Sequence, residues 1–289
     1  MIAVRLKGGL GNQMFQYAIG RSLSLHHHTE LFLDTSMLES NNQPHVYRKY
    51  SLDTLNVSVK ILQKDSGLIP RDRKSSLSRF LNIFNMKELN LVAEKNFRFD
   101  QHVLKAPDNS YLDGYWQSYN YFESNADVLK REFSLKGKLS GKANNISDKI
   151  ISSNAVVIHI RRGDYVSSPE TASYHGNCDI SYYEKAIQLM QERNRDLAFF
   201  VFSDDPSWVR QNFKATRSYD LVSGEGLSNV EELHLMALCK HAIVANSSFS
   251  WWGAWLMNNP DKTIIAPKQW FKDTSIITDD MFPKTWLRI

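Results

Sequence analysis

Charged side chains follow an apolar run near the middle of the chain. Residues 155–160 are mostly β-branched, which predicts a buried strand, and Arg161, Arg162 and Asp164 come directly after it. Because side chains alternate along a strand, His159 and Arg161 are expected on one face and Arg162 on the other. Guanidinium groups match phosphate oxygens, and open parallel sheets bind ligands beyond the carboxyl ends of their strands. The pattern predicts a diphosphate site; a surface ion pair of Arg162 with Asp164 is the alternative.

A second strand end carries paired carboxylates. The apolar residues 197–202 predict a strand, and Asp204, Asp205 and Pro206 follow. A carboxylate here could accept hydrogen bonds from a base with adjacent N–H donors, such as guanine, or cap the next helix. The proline favours capping for Asp205, since Pro suits the first helical turn, and leaves Asp204 free for a ligand.

A third strand end is rich in hydroxyl groups. Ser247 and Ser248 precede a predicted helix from Phe249 to Met257, where hydroxyls and backbone N–H groups form an anion site. One serine would satisfy a helix cap, so the surplus favours a phosphate site. The sequence contains no Asp-x-Asp and no Cys or His spacing typical of a metal site. We therefore expect a site that requires no divalent metal.

The N-terminus predicts a βαβ unit with a glycine-rich first turn. Residues 2–6 and 31–34 read as strands on either side of a mostly buried helix. Gly9, Gly11 and Asp34 partly match a dinucleotide fingerprint, which keeps an NAD(P)-dependent oxidoreductase as an alternative. A second hypothesis is that the Gly11 backbone and the Asn12 amide touch a sugar or phosphate. A purely structural turn would also explain the glycines.

Repeated β/α alternation predicts an α/β fold of two Rossmann-like, doubly wound domains that face a cleft. Residues 136–149 are rich in Gly, Ser, Lys and Asn and are interpreted as the linker, which gives domains 1–150 and 151–289. Aromatic residues cluster at 115–122. Most are expected in the core. One or two rings that stack on a sugar face would instead indicate a non-catalytic carbohydrate-binding protein, which is a further alternative.

Composition excludes several classes. The formal net charge of +4 gives no global field that would demand nucleic acid, and two cysteines argue against a disulfide scaffold. No signal peptide or apolar run of roughly 18–20 residues is found, so a cytoplasmic location is expected. The basic residues 70–74 form either a solvated loop or a point of peripheral contact with anionic lipid.

Five ordered segments resemble one family. His159–Tyr165 resembles the His-x-Arg-Arg-x-Asp-Tyr signature of the α1,2-fucosyltransferases of glycosyltransferase family 11. The other four segments are residues 8–16, 114–118, 202–205 and 246–255. His175, Gly176 and Cys178 resemble bacterial members. Animal members carry an N-terminal membrane anchor, and its absence here points to the soluble bacterial type.

The resemblance implies an inverting galactoside 2-α-L-fucosyltransferase of the GT-B type. Such an enzyme moves L-fucose from GDP-fucose to the 2-hydroxyl of a galactose-terminated oligosaccharide. By the same resemblance, domain 151–289 binds the donor and domain 1–150 shapes the acceptor side. Bacterial enzymes of this type usually decorate lipid-linked surface oligosaccharides such as O-antigen, which implies at most peripheral contact with the inner face of the plasma membrane.

The expected donor site follows from the chemistry of the leaving group. Negative charge grows on the diphosphate as the bond to fucose breaks. We expect Arg161 to neutralise it, assisted by the serines and the Phe249 backbone amide. Asp204 is expected at the guanine, and His159 at the nucleotide or beside Arg161. The remaining predicted donor-site residues are Gly11, Asn12, Arg162, Ser247 and Ser248.

The general base is the second catalytic role. A carboxylate or imidazole has to reach the attacking hydroxyl. Asp164 is the first candidate, followed by Glu170 and His175, and the alternative for Asp164 is a structural pair with Arg162. Asn12 is expected to approach the fucose or the β-phosphate from the first domain.

Overall fold

The computed structural model describes residues 1–39, 48–63, 68–69, 89–163, 176, 178–214, 218–224 and 226–289. The chain divides into two compact units. The N-terminal unit comprises Met1–Leu52, Val57–Glu132 and Asp279–Met281, and the C-terminal unit comprises Asp53–Asn56, Phe133–Thr278 and Phe282–Ile289. Each unit contains one parallel sheet.

The N-terminal unit is built on a five-stranded parallel sheet. Its strands are β1 (Ile2–Arg5), β2 (Leu31–Asp34), β3 (Lys60–Ile61), β4 (Asn90–Ala93) and β5 (Ser110–Asp113), in the order β3-β2-β1-β5-β4. The helices are α1 (Leu10–His26), α2 (Ser36–Glu39) and α3 (Ala126–Glu132). Helix α1 is buried along most of its length, because large apolar residues such as Met14, Phe15 and Ile19 recur around it.

The C-terminal unit contains a six-stranded parallel sheet. Its strands are β6 (Asn154–Ile160), β7 (Leu197–Ser203), β8 (Asp220–Leu221), β9 (His241–Ile243), β10 (Ile264–Ala266) and β11 (Leu287–Arg288), in the order β11-β10-β9-β6-β7-β8. The helices are α4 (Gly141–Ile151), α5 (Ile180–Arg193), α6 (Pro206–Asn212), α7 (Asn229–Leu238) and α8 (Ser248–Trp255).

The two faces of β6 carry different chemistry. Val156, Ile158 and Ile160 lie in a core cluster with Tyr183 and Met190 of α5. Alternation along the strand turns His159 to the opposite face, where its ring lies 6.0 Å from that of Phe249. The prediction of an α/β fold with two Rossmann-like parallel sheets is confirmed.

The segment interpreted as a linker, residues 136–149, is largely helical. Ser140 caps α4 by accepting a hydrogen bond from the Ala143 amide, and its own amide donates to Glu231 Oε1 at 2.9 Å. Glu231 also completes the predicted capping box of α7 with Ser228. Because α4 is tied to α7 in this way, it belongs to the C-terminal unit, and the change between units falls at Glu132 and Phe133 rather than at residue 150.

None of the helices in the described part of the chain combines the length and hydrophobicity needed to cross a bilayer.

The packing of α1 on the sheet requires glycine at position 20. A Cβ atom on Gly20 would lie 2.4 Å from Val4 Cγ2 and 2.8 Å from Leu31 Cδ1. We therefore expect Gly20→Ala to lower the free energy of unfolding by about 1–3 kcal/mol, in spite of alanine's higher helix propensity.

Urea denaturation of Gly20→Ala beside Gly141→Ala checks this expectation. Gly141 begins α4, and a Cβ atom added to it would meet nothing within 4 Å, so its replacement should change stability by less than about 1 kcal/mol. Equal unfolding midpoints for the two variants would contradict the packing argument.

Candidate functional site

Three loops meet at the carboxyl edge of the C-terminal sheet. Strand β6 lies at its centre, between β9 and β7, with Ile158 opposite Ile243 and Ile160 opposite Ser203. This register places the residues after position 160 between Asp204 and the loop that leads into α8. The structure thus gathers the three predicted strand-end clusters at one edge of one sheet.

Asp204 organises the loop after β6. Its Oδ2 lies 2.7 Å from Arg161 Nη1, and the backbone amides of Arg162 and Gly163 donate to Oδ1 at 2.8 Å and to Oδ2 at 3.0 Å. Three donors therefore converge on one carboxylate, which fixes both the loop and the guanidinium group. A carboxylate offers about four acceptor positions. The predicted contact with guanine stays a prediction, and the structure adds the positioning of Arg161.

Gly163 is required by the same contact. A Cβ atom at this position would lie 2.6 Å from Asp204 Oδ2. Any larger residue would push the carboxylate away from the two amides that donate to it. Close packing against Asp204 therefore explains the glycine at position 163 of the signature segment.

Arg162 points to different partners from those of Arg161. Its guanidinium carbon lies 3.9 Å from the centre of the Trp208 ring, and its Nε lies 3.6 Å from Asp205 Oδ2. Asp205 accepts a hydrogen bond from the Trp208 amide at 3.0 Å and so caps α6, which confirms the capping interpretation. Arg162 is therefore held against the start of α6.

His159 is a buried neutral group beside a cation. Its side chain is 4% exposed, and its Nδ1 has no hydrogen-bond partner among the residues that the structure describes. The pKa of His159 is lowered to about 4, chiefly by burial; the charge of Asp204 opposes this shift, and the charge of Arg161 contributes to it. At neutral pH the imidazole carries no charge and does not repel the adjacent guanidinium group.

The polar residues around the start of α8 divide into two groups. Asn246 donates from Nδ2 to the carbonyls of Gly176 and Trp270, at 3.1 and 3.2 Å, and Ser250 donates to the Ser247 carbonyl at 3.3 Å. Asn246 thus ties three loops together, whereas Ser250 bonds only within the start of its own helix. Ser247 caps no amide of α8 with its hydroxyl. The first amides of a helix have no intrahelical acceptor.

That division leaves two serines and one amide for a ligand. Ser247 is 7% exposed, and Ser248 and Phe249 are partly exposed. Their hydroxyls and the Phe249 N–H can donate to an anion at the positive end of α8. The tryptophans of this helix are buried against one another, as predicted for packing: Trp251 and Trp252 lie 5.0 Å apart between ring centres.

In the N-terminal unit, the glycine-rich turn positions Asn12. Gly8 has a φ of +79°, and a Cβ atom there would lie 2.4 Å from Asn12 Nδ2. Asn12 Oδ1 accepts a hydrogen bond from Gln117 Nε2 at 2.8 Å. Gly11 is buried in the first turn of α1. The turn therefore holds the Asn12 amide in a fixed position at the carboxyl end of β1.

The partial dinucleotide fingerprint lacks an available acid. Asp34 is fully buried, accepts hydrogen bonds from the Tyr111 hydroxyl and the Ser36 amide, and lies 3.8 Å from Arg5 Nε. A ribose hydroxyl could not reach this carboxylate without displacing the core. The structure gives Asp34 a structural role and removes the acid on which the oxidoreductase alternative depended.

Two partly buried carboxyl groups were not predicted from the sequence. Glu232 follows the capping residue Glu231 on α7; burial and the charge of Asp204 raise its pKa to about 7, and a hydrogen bond with Ser223 opposes the shift. Glu94 follows β4 and accepts hydrogen bonds from the amides of Tyr115 and Trp116 at 2.6 and 2.9 Å. For Glu232, a second glutamate on a mostly apolar helix was the available signal. No sequence signal marked Glu94.

The predicted general bases Asp164, Glu170 and His175 lie outside the described residues. Among the residues that are described, no three His, Cys, Asp or Glu side chains converge on a position for a metal ion.

Solved structures show the fold. Fucosyltransferase NodZ from Bradyrhizobium superposes with a TM-score of 0.51 at 13% identity, over 87% of this chain and 92% of its own. A mutant of Arabidopsis thaliana FUT1 in complex with GDP also gives 0.51 at 13% identity, over 98% of this chain and 74% of its own. With two Rossmann-like sheets, the chain has the architecture of a GT-B glycosyltransferase.

Sequence comparison then assigns the family. The profile of glycosyl transferase family 11 matches residues 1–289, and the chain belongs to that family. An alpha-1,2-colitosyltransferase from Escherichia coli is 36% identical over 100% of this chain and 99% of its own. The O-antigen biosynthesis glycosyltransferase WbnK from Escherichia coli is 32% identical over 92% of this chain and 93% of its own. The mouse galactoside 2-alpha-L-fucosyltransferase Sec1 is 26% identical over 93% of this chain and 71% of its own.

Neighbouring glutamates on α7 should respond to pH in opposite ways. The pKa of Glu232 rises to about 7 on folding from an ordinary 4.5, so the folded state binds its proton more tightly than the unfolded state. Wild-type protein should therefore lose stability relative to Glu232→Gln as the pH rises from 4.5 to 7. Urea unfolding of both proteins across this range measures the difference.

Glu231→Gln is the matched control. Hydrogen bonds from the backbone of Ser228 and Ser140 lower the pKa of Glu231 to about 2, so wild type should lose stability relative to this variant only as the pH falls from 4.5 toward 2. A stability difference between wild type and Glu232→Gln that stays constant between pH 4.5 and 7 would be inconsistent with a raised pKa of Glu232.

Proposed function

We propose that this chain is an inverting α1,2-fucosyltransferase, which moves L-fucose from GDP-fucose to the 2-hydroxyl of a galactose in an oligosaccharide. The observation that carries the proposal is Arg161, held by Asp204 at the end of the central strand within the family's signature segment. The names of the relatives, α1,2-colitosyltransferase and galactoside 2-α-L-fucosyltransferase, support the 1,2 linkage and the galactoside acceptor.

The residues at the carboxyl edge of the C-terminal sheet suit the departure of a GDP leaving group. As the bond to the sugar breaks, charge develops on the diphosphate, and a preoriented guanidinium group is the strongest donor available to it. Ser247, Ser248 and the Phe249 amide add neutral donors at a helix start. Because His159 is neutral, it does not repel the Arg161 guanidinium group from its position beside Asp204.

The acceptor hydroxyl has to lose its proton as it attacks the anomeric carbon. Asp164 stays our first candidate for the base, with Glu170 and His175 as the next two. Asn12 is assigned to the fucose or the β-phosphate. The resemblance to bacterial family members and the name of the relative WbnK, an O-antigen biosynthesis glycosyltransferase, support a lipid-linked O-antigen oligosaccharide as the acceptor. We therefore propose that the enzyme works in peripheral contact with the inner face of the plasma membrane.

Colitosyl transfer is the second candidate, because the E. coli colitosyltransferase matches the full length of the chain. Colitose is fucose without its 3-hydroxyl group, so the two donors differ by one potential hydrogen bond. A site that pairs with the 3-hydroxyl discriminates strongly against the deoxy sugar, whereas a site without such a partner does not.

The deciding assay offers GDP-fucose, or its 3-deoxy analogue, with a series of β-galactosides. Release of GDP and an α1,2-linked product identified by NMR would support the fucosyltransferase. A higher kcat/KM with the deoxy donor than with GDP-fucose would support colitosyl transfer instead. Thermal stabilisation by NAD and not by GDP, with no turnover on any galactoside, would refute both.

Arg161→Ala should lower kcat by about 100-fold or more, because it removes the principal charge that faces the leaving diphosphate. Arg193→Ala is the control, since Arg193 is an exposed arginine at the end of α5. Steady-state kinetics and a melting curve for each variant separate lost chemistry from lost folding. Near-normal turnover by folded Arg161→Ala would remove this residue from the mechanism.

Transfer should persist in a chelator. The proposed donors to the diphosphate are a guanidinium group, hydroxyls and a backbone amide, so no divalent ion is needed to bridge the phosphates. Initial rates with and without EDTA, followed by added Mg²⁺ or Mn²⁺, test this. A rate that collapses in EDTA and recovers with the metal would show that a metal is required.

A further inference from the structure

A cavity of about 450 Å³ lies at the carboxyl edge of the N-terminal sheet. The loop after β4 supplies most of its lining, and Trp116 and Tyr121, which follow β5, complete it. The volume falls within the range of about 300–1,000 Å³ that is common for small-ligand pockets. Nothing in the proposed donor site uses this space.

The lining suits a neutral, amphipathic ligand. It contains two carboxylates, two basic side chains, a histidine and two amides, together with the rings of Phe99, Trp116 and Tyr121. Because acids and bases balance, the cavity does not favour a diphosphate. Sugars combine hydroxyl groups with apolar C–H faces, and a mixture of amides, charges and aromatic rings provides partners for both.

The loop around the cavity is fixed before any ligand arrives. The Asp100 amide donates to the Tyr121 hydroxyl at 3.0 Å, and the Phe99 and Tyr121 rings pack edge-on with centres 5.0 Å apart. Asn96 accepts a hydrogen bond from the Arg98 amide at 3.0 Å. A preorganised loop lowers the entropy cost of binding.

Trp116 is held in a strained conformation with an unused donor. Its φ is +57°, and Glu94 maintains it by accepting hydrogen bonds from the amides of Tyr115 and Trp116. The Trp116 side chain is fully buried, and its Nε1 has no acceptor among the described residues. Such strain persists only where the surroundings impose it and is common at ligand clamps. A ligand hydroxyl would supply the missing acceptor.

The cavity wall continues into the turn that carries Asn12. Gln117, the residue after Trp116, donates to Asn12 Oδ1 at 2.8 Å, and Gln16 donates to the Gly114 carbonyl at 3.3 Å. Asn12 is the residue that we assign to the transferred sugar or its phosphate. The cavity therefore lies on the same edge of the unit as that assigned contact.

We propose that this cavity binds the sugar residues that precede the accepting galactose in the oligosaccharide. The inference rests on the proposed function and adds to it a subsite that selects for acceptor length. Trp116 and Gln101 are the two residues on which it is tested.

The test compares a minimal acceptor, methyl β-galactoside, with a galactose-terminated tetrasaccharide at saturating GDP-fucose. Gln101 is exposed and lines the cavity; Gln63 is an exposed glutamine of the same unit outside it. We expect Gln101→Ala and Trp116→Phe to raise KM for the tetrasaccharide about 3- to 10-fold more than KM for methyl galactoside, as the loss of one hydrogen bond predicts. Gln63→Ala should match wild type on both acceptors.

Two results would overturn the subsite: equal changes in KM for both acceptors, or no change with either variant while melting curves show intact folding. If wild type transfers fucose to no galactoside, the proposed function fails by itself. Calorimetric titration with the unreacted tetrasaccharide then tests directly whether the cavity binds it. Weaker binding by Trp116→Phe than by Gln63→Ala would support the subsite, and equal or absent binding would reject it.

Discussion

The loop after the central strand depends on one carboxylate. Asp204 accepts hydrogen bonds from the Arg162 and Gly163 amides and pairs with the Arg161 guanidinium group. The pair is about one-fifth to one-quarter exposed, so its value lies in geometry more than in stability. It fixes a long, flexible cation at one position and requires glycine at position 163. Preorganisation of this kind is what an electrostatic site needs before the substrate arrives.

The surroundings of Arg161 also matter. His159 is buried beside it and stays neutral, so the guanidinium group is not repelled by a second positive charge. Asn246 donates to two loop carbonyls, and the Ser247 hydroxyl caps no amide of α8. The hydroxyl that we propose as a donor to the diphosphate is therefore not used to cap the helix. In the N-terminal unit, too, one side chain positions another by a hydrogen bond. Glu94 accepts from the Trp116 amide, and Gln117 donates to Asn12.

The elements and the family could be predicted from the sequence because their signals are local. The buried strand at 155–160, the capping box at Ser228 and the proline-led helix after Asp205 each depend on neighbouring residues, and all are present. The interpretation of residues 136–149 as a linker was wrong for a complementary reason. Their polar composition resembles a linker, but Glu231, some 90 positions away, provides the partner that ties the capped helix to its unit.

The sequence by itself determined that cationic, acidic and hydroxyl-bearing strand ends exist, and the motifs placed them in a glycosyltransferase family. Only the tertiary structure decided which of these residues contact one another. Arg161 pairs with Asp204 at the end of the adjacent strand, and the Arg162 guanidinium group lies over the Trp208 ring. Asp34 accepts a hydrogen bond from the buried Tyr111 hydroxyl, and Glu94 supports the strained backbone of Trp116. These pairings join residues about 20 to 80 positions apart, and the register of parallel strands brings them together; residue type and spacing alone do not encode that register.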